Sequence, residues 1–254
     1  SETEIVTRFQ AIGIVGSSAA PAEYEWQRKY PYQSVNFNPF IQNAYINVKN
    51  VAGNPFDITF GRQPIEYGEG LIISDNGAGM NALRFGINYP FKLHSEIFTA
   101  KIKENFMNSK DNDVSGVIAT YPLKKFNAEF GYYEQRDYSG TIYRQGTTFA
   151  NTLTVDKQFY DFRLFDSGSW GNYSLEYVFQ KGKIVPGYGN SVELNAKAFV
   201  AKGRLVNEKT KLGKVSGFGI LAAATGNKSV GITPSANEWI PTDEEFSPDF
   251  TKKY

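Results

Sequence analysis

Apolar and polar residues alternate along this chain with a period of two, from one end to the other. Tyr173, Leu175, Tyr177 and Phe179 take one phase, while Ser174, Glu176 and Gln180 take the other. Tyr160, Phe162 and Leu164 oppose Asp161 and Arg163 in the same way, and Val192, Leu194, Ala196, Ala198 and Val200 oppose Glu193, Asn195 and Lys197. Successive side chains of an extended strand point to opposite faces, so this alternation predicts strands with one apolar face each. Helical periodicity is nearly absent. Eleven strands are predicted, at 3–15, 40–49, 56–63, 82–89, 92–103, 114–121, 127–135, 157–166, 170–180, 191–203 and 212–224.

The connections carry a second pattern. Short ones hold turn residues, in KNVAGNP, YPF, PLKKF, DSGSW and the longer RLVNEKTK. Long ones lie at 16–39, 64–81, 104–113, 136–156, 181–190 and from 225 onward, and short and long alternate throughout. An up-and-down antiparallel barrel alternates in this way when one rim has tight turns and the other has elaborated loops, as outer-membrane barrels do. The segments also approach the roughly 9–11 residues that a tilted strand needs to span a bilayer. Tyr89, Phe91, Tyr121, Phe126, Tyr132, Tyr133 and Trp170 sit at strand ends, where interfacial aromatic girdles belong. A soluble β-rich protein, such as a sugar-binding sandwich or propeller with aromatic platforms, is the competing fold.

Composition changes this picture little. A formal net charge of +1 gives no global basic field for nucleic acid. The absence of Cys excludes disulfides and thiolate metal sites and fits an oxidising compartment. No stretch of 18 apolar residues predicts a membrane helix, and no signal peptide is visible at SETEIVTRF. The mean hydropathy of -0.40 is that of a soluble chain, but an alternating barrel hides from such averages.

The strand ending Gly61-Arg62-Gln63, the excursion containing YGEG and the returning strand ALRFGI resemble the alginate-export family of outer-membrane porins. NPFIQNAYINVKN upstream, and KFNAEFGYYEQRD, FYDFRLFDSGSWGNYSLEYVFQKG and SVELNAKAFVAKG downstream, follow the same cadence, from about Asn38 to Gly226. The resemblance implies a large barrel of about 16–18 strands that passes anionic polysaccharide or other solutes, of which 11–12 strands are visible here as one domain over 1–254. FSPDFTKKY suits a terminal strand poorly, because Pro248 breaks a ladder and Lys252 replaces an apolar residue. The chain is therefore expected to stop in a sixth outer loop.

Lipid repels buried charge, so the apolar phase of each strand is expected to face outward and the charged phase inward. That rule makes Arg8, Arg84, Lys101, Lys103, Arg163 and Lys197 the inward bases, and Asp57, Glu129, Asp161, Glu176 and Glu193 the inward acids. From these, Arg84, Lys101, Arg163, Lys197, Glu129, Asp161 and Glu176 are the expected pore-lining residues, a mixed set with a slight cationic excess. Arg62 joins them through a bulge at Gly61 that turns its guanidinium inward from an outward phase. For any one of these residues the plainer reading is a cross-strand ion pair that holds the wall, with Asp161 and Glu176 as ladder partners of Arg163.

Other motifs fail. Gly77-Ala78-Gly79 opens a strand rather than a helix, so it is no dinucleotide site. Asp111-Asn112-Asp113 begins like a calcium loop, but Pro122 stands at its twelfth position where Glu is needed. Asp111 and Asp113 leave a rim calcium as a minor alternative, and the tail TDEEFSPD another loop-borne cation site, against the plainer reading of solvated charge. The one histidine, His94, falls at a short turn, away from outer-leaflet substrate, so no catalysis, cofactor or metal is expected. The expected function is passive or facilitated diffusion of hydrophilic solutes, including anionic saccharides, across a bacterial outer membrane. The partners would be membrane lipid, lipopolysaccharide and the solute in the lumen, with no nucleic acid. The alternative is a barrel that serves as a structural or docking component, meeting a protein partner at loops 16–39 and 136–156.

Overall fold

The computed structural model describes residues 1–13, 37–75, 79–103, 111–138, 143–144, 147–148, 154–185, 191–210 and 213–225. Most of loops 16–39 and 136–156, the Gly77-Ala78 dipeptide, the TDEEFSPD tail and the FSPDFTKKY terminus lie outside them. The strands are β1 (Glu2–Gly13), β2 (Phe37–Lys49), β3 (Phe56–Gln63), β4 (Glu66–Tyr67), β5 (Ile73–Ser74), β6 (Met80–Asn88), β7 (His94–Lys103), β8 (Asn112–Pro122), β9 (Asn127–Asp137), β10 (Tyr143–Arg144), β11 (Thr147–Thr148), β12 (Thr154–Gly168), β13 (Gly171–Val185), β14 (Val192–Thr210) and β15 (Gly213–Ala224). No α-helix occurs among the described residues. β4 pairs with β5 and β10 with β11, while the other eleven strands form one antiparallel sheet in the order β1-β2-β3-β6-β7-β8-β9-β12-β13-β14-β15.

Every predicted strand is present. The last hairpin is longer than the alternation indicated, because RLVNEKTK continues the ladder through Asn207↔Val215 to Thr210↔Gly213. Strand length grows across the sheet, from 8 residues in β3 to 19 in β14. β1 and β15 are its two edges, so the sheet is not closed.

The two faces differ sharply. On one, which we call bare, Phe130 (52%), Phe162 (50%), Leu175 (43%) and Tyr177 (41%) are solvent-exposed. On the other, the covered face, Glu176 and Asp161 are each 1% exposed, and Gln135 and Gln180 are fully buried. Phe98, Tyr133, Phe159, Val178 and Val200 are buried on that same face, so it is apolar as well as charged; the unusual feature is the large uncovered apolar band of the bare face. Pairing register extends the bare face across the sheet. Phe56, Ile87, Ser95, Ala119, Phe130, Phe162, Tyr177, Phe199 and Ala223 stand side by side on nine successive strands.

A second line nearer the long connections reads Arg62, Asn81, Lys101, Asp113, Arg136, Asp156, Lys183, Glu193. From Lys101 onward each charge stands directly opposite one of the other sign, an arrangement that stabilises neighbouring strands by a few tenths of a kcal/mol per pair, ~0.2–1. Between these two lines, Phe60, Leu83, Thr99, Ser115, Glu134, Gln158, Lys181 and Asn195 pass from apolar to charged along one row. The apolar band therefore slides toward the tight turns from β3 to β14, where it runs from Phe199 to Leu205.

The expected bulge at Gly61 does not occur. Tyr45, Gly61 and Ala82 pair in an unbroken ladder, so Arg62 keeps its outward phase. Gly61 is needed for another reason. Its φ is 116°, and a Cβ there would collide with the Ala44 carbonyl and stand 2.9 Å from Tyr45 Cα. Gly61→Ala is expected to cost about 1–3 kcal/mol, read as a lower unfolding temperature of the folded chain; an unchanged midpoint would contradict this close approach.

Candidate functional site

The site is built where residues 64–75 of the excursion fold back over the covered face. An excursion exposed at a rim would be polar, yet this one carries Leu71-Ile72-Ile73 in succession. Ile65, Leu71, Ile72 and Ile73 are all buried, in one cluster with Phe98, Tyr133, Phe159, Val178, Ala198 and Val200 of the sheet. Each such side chain removed from water contributes about 1.5–3 kcal/mol, enough to hold a segment with only two short strands of its own.

Polar contacts then fix its position. Tyr67 donates a short hydrogen bond to Glu96, which Arg84 clamps at 2.6 and 3.1 Å. The Tyr67 ring lies 4.4 Å from that of Phe98, and Arg84 stands 5.9 Å from the Tyr67 ring centre. Burial, reinforced by the Glu96 charge, pushes the Tyr67 hydroxyl above its ordinary range, so it stays a proton donor. Two residues on, the Glu69 carboxylate meets Lys202 at 2.8 Å and Arg163 at 3.6 Å. The Glu69 amide donates to Glu176 Oε2 at 2.5 Å. Gly68 permits this contact, for a Cβ there would strike the Glu176 carboxylate. Burial alone would raise the Glu69 carboxyl, but the hydrogen bond from Lys202 and the charges of Lys202 and Arg163 hold it below the usual range.

Five of the eight expected pore residues stand on the covered face. Arg163 pairs with Glu129 at 3.0 Å, and Glu129 also accepts from Thr120. Glu176 is opposite Arg163 in the ladder, but the guanidinium turns to Glu129 and Glu69 instead. Asp161 lies one pair further along, and Arg84 is held by Glu96.

Three do not belong there. Lys197 is opposite Phe179 on the bare face, its ammonium 5.0 Å from that ring, and Glu193 shares its phase. The rule that apolar residues point outward fails on β14 because Leu194, Ala196, Ala198 and Val200 lie on the covered face. Lys101 shares its phase with Ile97 and Thr99 on the bare face and pairs with Asp111 at 2.6 Å. Arg62 is also outward in phase, with Nε donating to the Ile41 carbonyl at 3.1 Å.

Among the remaining bases and acids, Arg8 and Asp57 take the covered phase, opposite Asn43 and Gly86. The Lys103 backbone follows a register shift and pairs with Asn112. His94 opens β7 at the turn, with Nδ1 2.8 Å from Asn88 Oδ1. Among the described residues no group of three or more His, Cys, Asp or Glu is placed to hold a metal ion.

Sequence reading missed Tyr67, Glu69, Glu96 and Lys202, and it read Tyr133 as a girdle aromatic where the structure buries it on the covered face against Phe98 and Phe159. The available signal was the apolar Leu71-Ile72-Ile73 run beside YGEG, which marks a connection that is buried rather than solvated. No protein-family model matches the chain, and no curated protein matches it.

Glu69→Gln and Lys202→Ala are each expected to speed amide hydrogen exchange over 65–73 about tenfold at neutral pH. Because the Glu69 carboxyl is depressed, its contribution is present above the ordinary carboxylate range and lost as pH falls through its own lowered value. Wild-type protection is therefore expected to decay on acidification, after correction for intrinsic exchange. Protection indifferent to both substitutions and to acid would contradict this docking.

Proposed function

We propose that the chain forms the wall of a transmembrane β-barrel in a bacterial outer membrane, a channel for hydrophilic solutes constricted by residues 64–75. The observation that carries this reading is the contrast between the faces: the bare one exposes a band of large apolar side chains, and the covered one buries Glu129, Asp161 and Glu176 beside an apolar cluster. Lipid is the solvent that suits the first face and an aqueous passage suits the second. The oblique apolar band adds support, because strands tilted through a flat slab cross its boundary at a different residue on each strand. No helix among the described residues is long and apolar enough to cross a membrane, a test to which a strand-built span is indifferent. The resemblance to alginate-export porins agrees with this architecture.

In this reading lipid and lipopolysaccharide surround the bare face. The line of alternating charges from Lys101 to Glu193 lies at the headgroups. Residues 64–75 narrow the lumen, so passage is set by the space beside them and by the charge they meet. With Lys101 and Lys197 on the lipid side and the Arg62 charge met by Asp75, the expected cationic excess is gone. Glu69, Glu129, Asp161 and Glu176 surround Arg163 and Lys202 at the narrowest part, and a small cation is favoured there over an anion. Saccharide-sized solutes require the segment to move. No catalytic role is proposed.

Conductance of the purified chain in planar bilayers tests the reading. Deleting residues 69–72 is expected to raise single-channel conductance severalfold, and Glu129→Gln to weaken cation selectivity while Lys197→Gln leaves it unchanged. Leu175→Arg places a charge against lipid and is expected to oppose insertion by about 2–4 kcal/mol. Absence of any conductance from wild type and deletion alike would count against a channel.

A further inference from the structure

The covered face contains a set of oxygens that the docking of residues 64–75 leaves unused. Both carboxylate oxygens of Asp161, Oε1 of Glu176 and the hydroxyl of Tyr133 are buried and have no hydrogen-bond partner, and the same is true of Arg163 Nε and Ser174 Oγ beside them. Asp161 and Glu176 are each 1% exposed and Tyr133 is fully buried. Four carboxylates share this region with two cations. Lys202 serves Glu69, and Arg163 divides itself between Glu129 and Glu69. The charges of Asp161 and Glu176 are the surplus.

These groups lie on adjacent strands. Asp161 is opposite Val178, and Glu176 is two residues along from Val178 on the same face, which makes the two acids diagonal neighbours. Gly131 is opposite Asp161 on the other side. The Tyr133 side chain lies across Gly131, with its hydroxyl 2.6 Å from where a Cβ would stand, so the missing side chain lets the phenol oxygen reach the Asp161 neighbourhood. Gly68 roofs Glu176 from above.

We infer that Asp161, Glu176 and Tyr133 form a binding site for a singly charged alkali-metal cation, enclosed beneath residues 65–73. Uncompensated buried charge costs several kcal/mol, and a cation relieves that cost without a hydrogen-bond donor. The donor set is all oxygen, which suits a hard ion rather than a soft one. One singly charged ion halves the surplus of two negative charges, and the remainder is left to the Arg163 guanidinium, whose Nε is buried and unpartnered. The site stands whether or not the chain conducts, because it depends only on the packed segment and the wall beneath it.

The test uses the full chain in detergent, heated in choline chloride and in NaCl or KCl at equal ionic strength. The unfolding midpoint is expected to rise with Na⁺ or K⁺ and to saturate, and Asp161→Asn and Glu176→Gln are each expected to abolish that rise. Tyr133→Phe, which removes only the hydroxyl, is expected to weaken the half-saturating concentration several-fold. Sodium-ion NMR line broadening by wild type, displaced by K⁺, provides a reading that needs no variant to fold. The proposal is overturned by equal midpoints in choline and alkali salts, by broadening that K⁺ fails to displace, or by saturation with MgCl2 or CaCl2 alone. A saturating response in a chain that forms no channel would retain the site and reject only the channel.

Discussion

The structure depends on one constraint, the two-residue period of a β-strand held in register across eleven strands. Because each residue belongs to one face, pairing Phe130 with Phe162, Phe162 with Tyr177 and Tyr177 with Phe199 commits an entire apolar surface to one side. The same pairs commit Glu129, Arg163 and Glu176 to the other, shifted by one residue. A slip of one position in any strand would place a charge among the aromatics and an aromatic among the charges. Register, rather than a packed interior, is what separates the two environments.

The covered face is then a problem to be solved locally. Charges there are buried, and burial is tolerable only where each is met by a partner. Residues 64–75 supply part of the answer by bringing their own Tyr67, Glu69 and backbone amides to Glu96, Lys202, Arg163 and Glu176. They also bring apolar residues, which explains why β14 presents Ala198 and Val200 to that side. The segment and the wall fit each other in composition. Where the segment is greasy the wall is greasy, and where it is charged the wall carries the opposite charge.

All eleven strands were legible because alternation is a local signal, and so was the face of β12 and β13, whose apolar residues are large and whose polar ones are charged. The phase of β14 was not. Its rule assumed that lipid is the only apolar surrounding a strand meets, and Ala196 and Ala198 are small enough to suit either side. Lys101 was misplaced for a related reason. β7 alternates Glu96, Phe98 and Ala100 with Ser95, Ile97 and Thr99, so neither set is clearly the apolar one. Arg62 required a backbone irregularity, and a glycine in sequence cannot distinguish a bulge from a close approach. The docking of 64–75 was hidden because its partners lie far along the chain, Lys202 being 133 residues from Glu69.

The most direct test places single cysteines, each unique because the chain has none, at every position from 173 to 180 for nitroxide labelling in lipid vesicles. Collisions with oxygen, which concentrates in lipid, are compared with those of a water-soluble nickel complex. The account expects oxygen accessibility to alternate with a period of two, high at Tyr173, Leu175, Tyr177 and Phe179 and low at Ser174, Glu176, Val178 and Gln180. A flat profile, or maxima at the even-numbered positions, would contradict it.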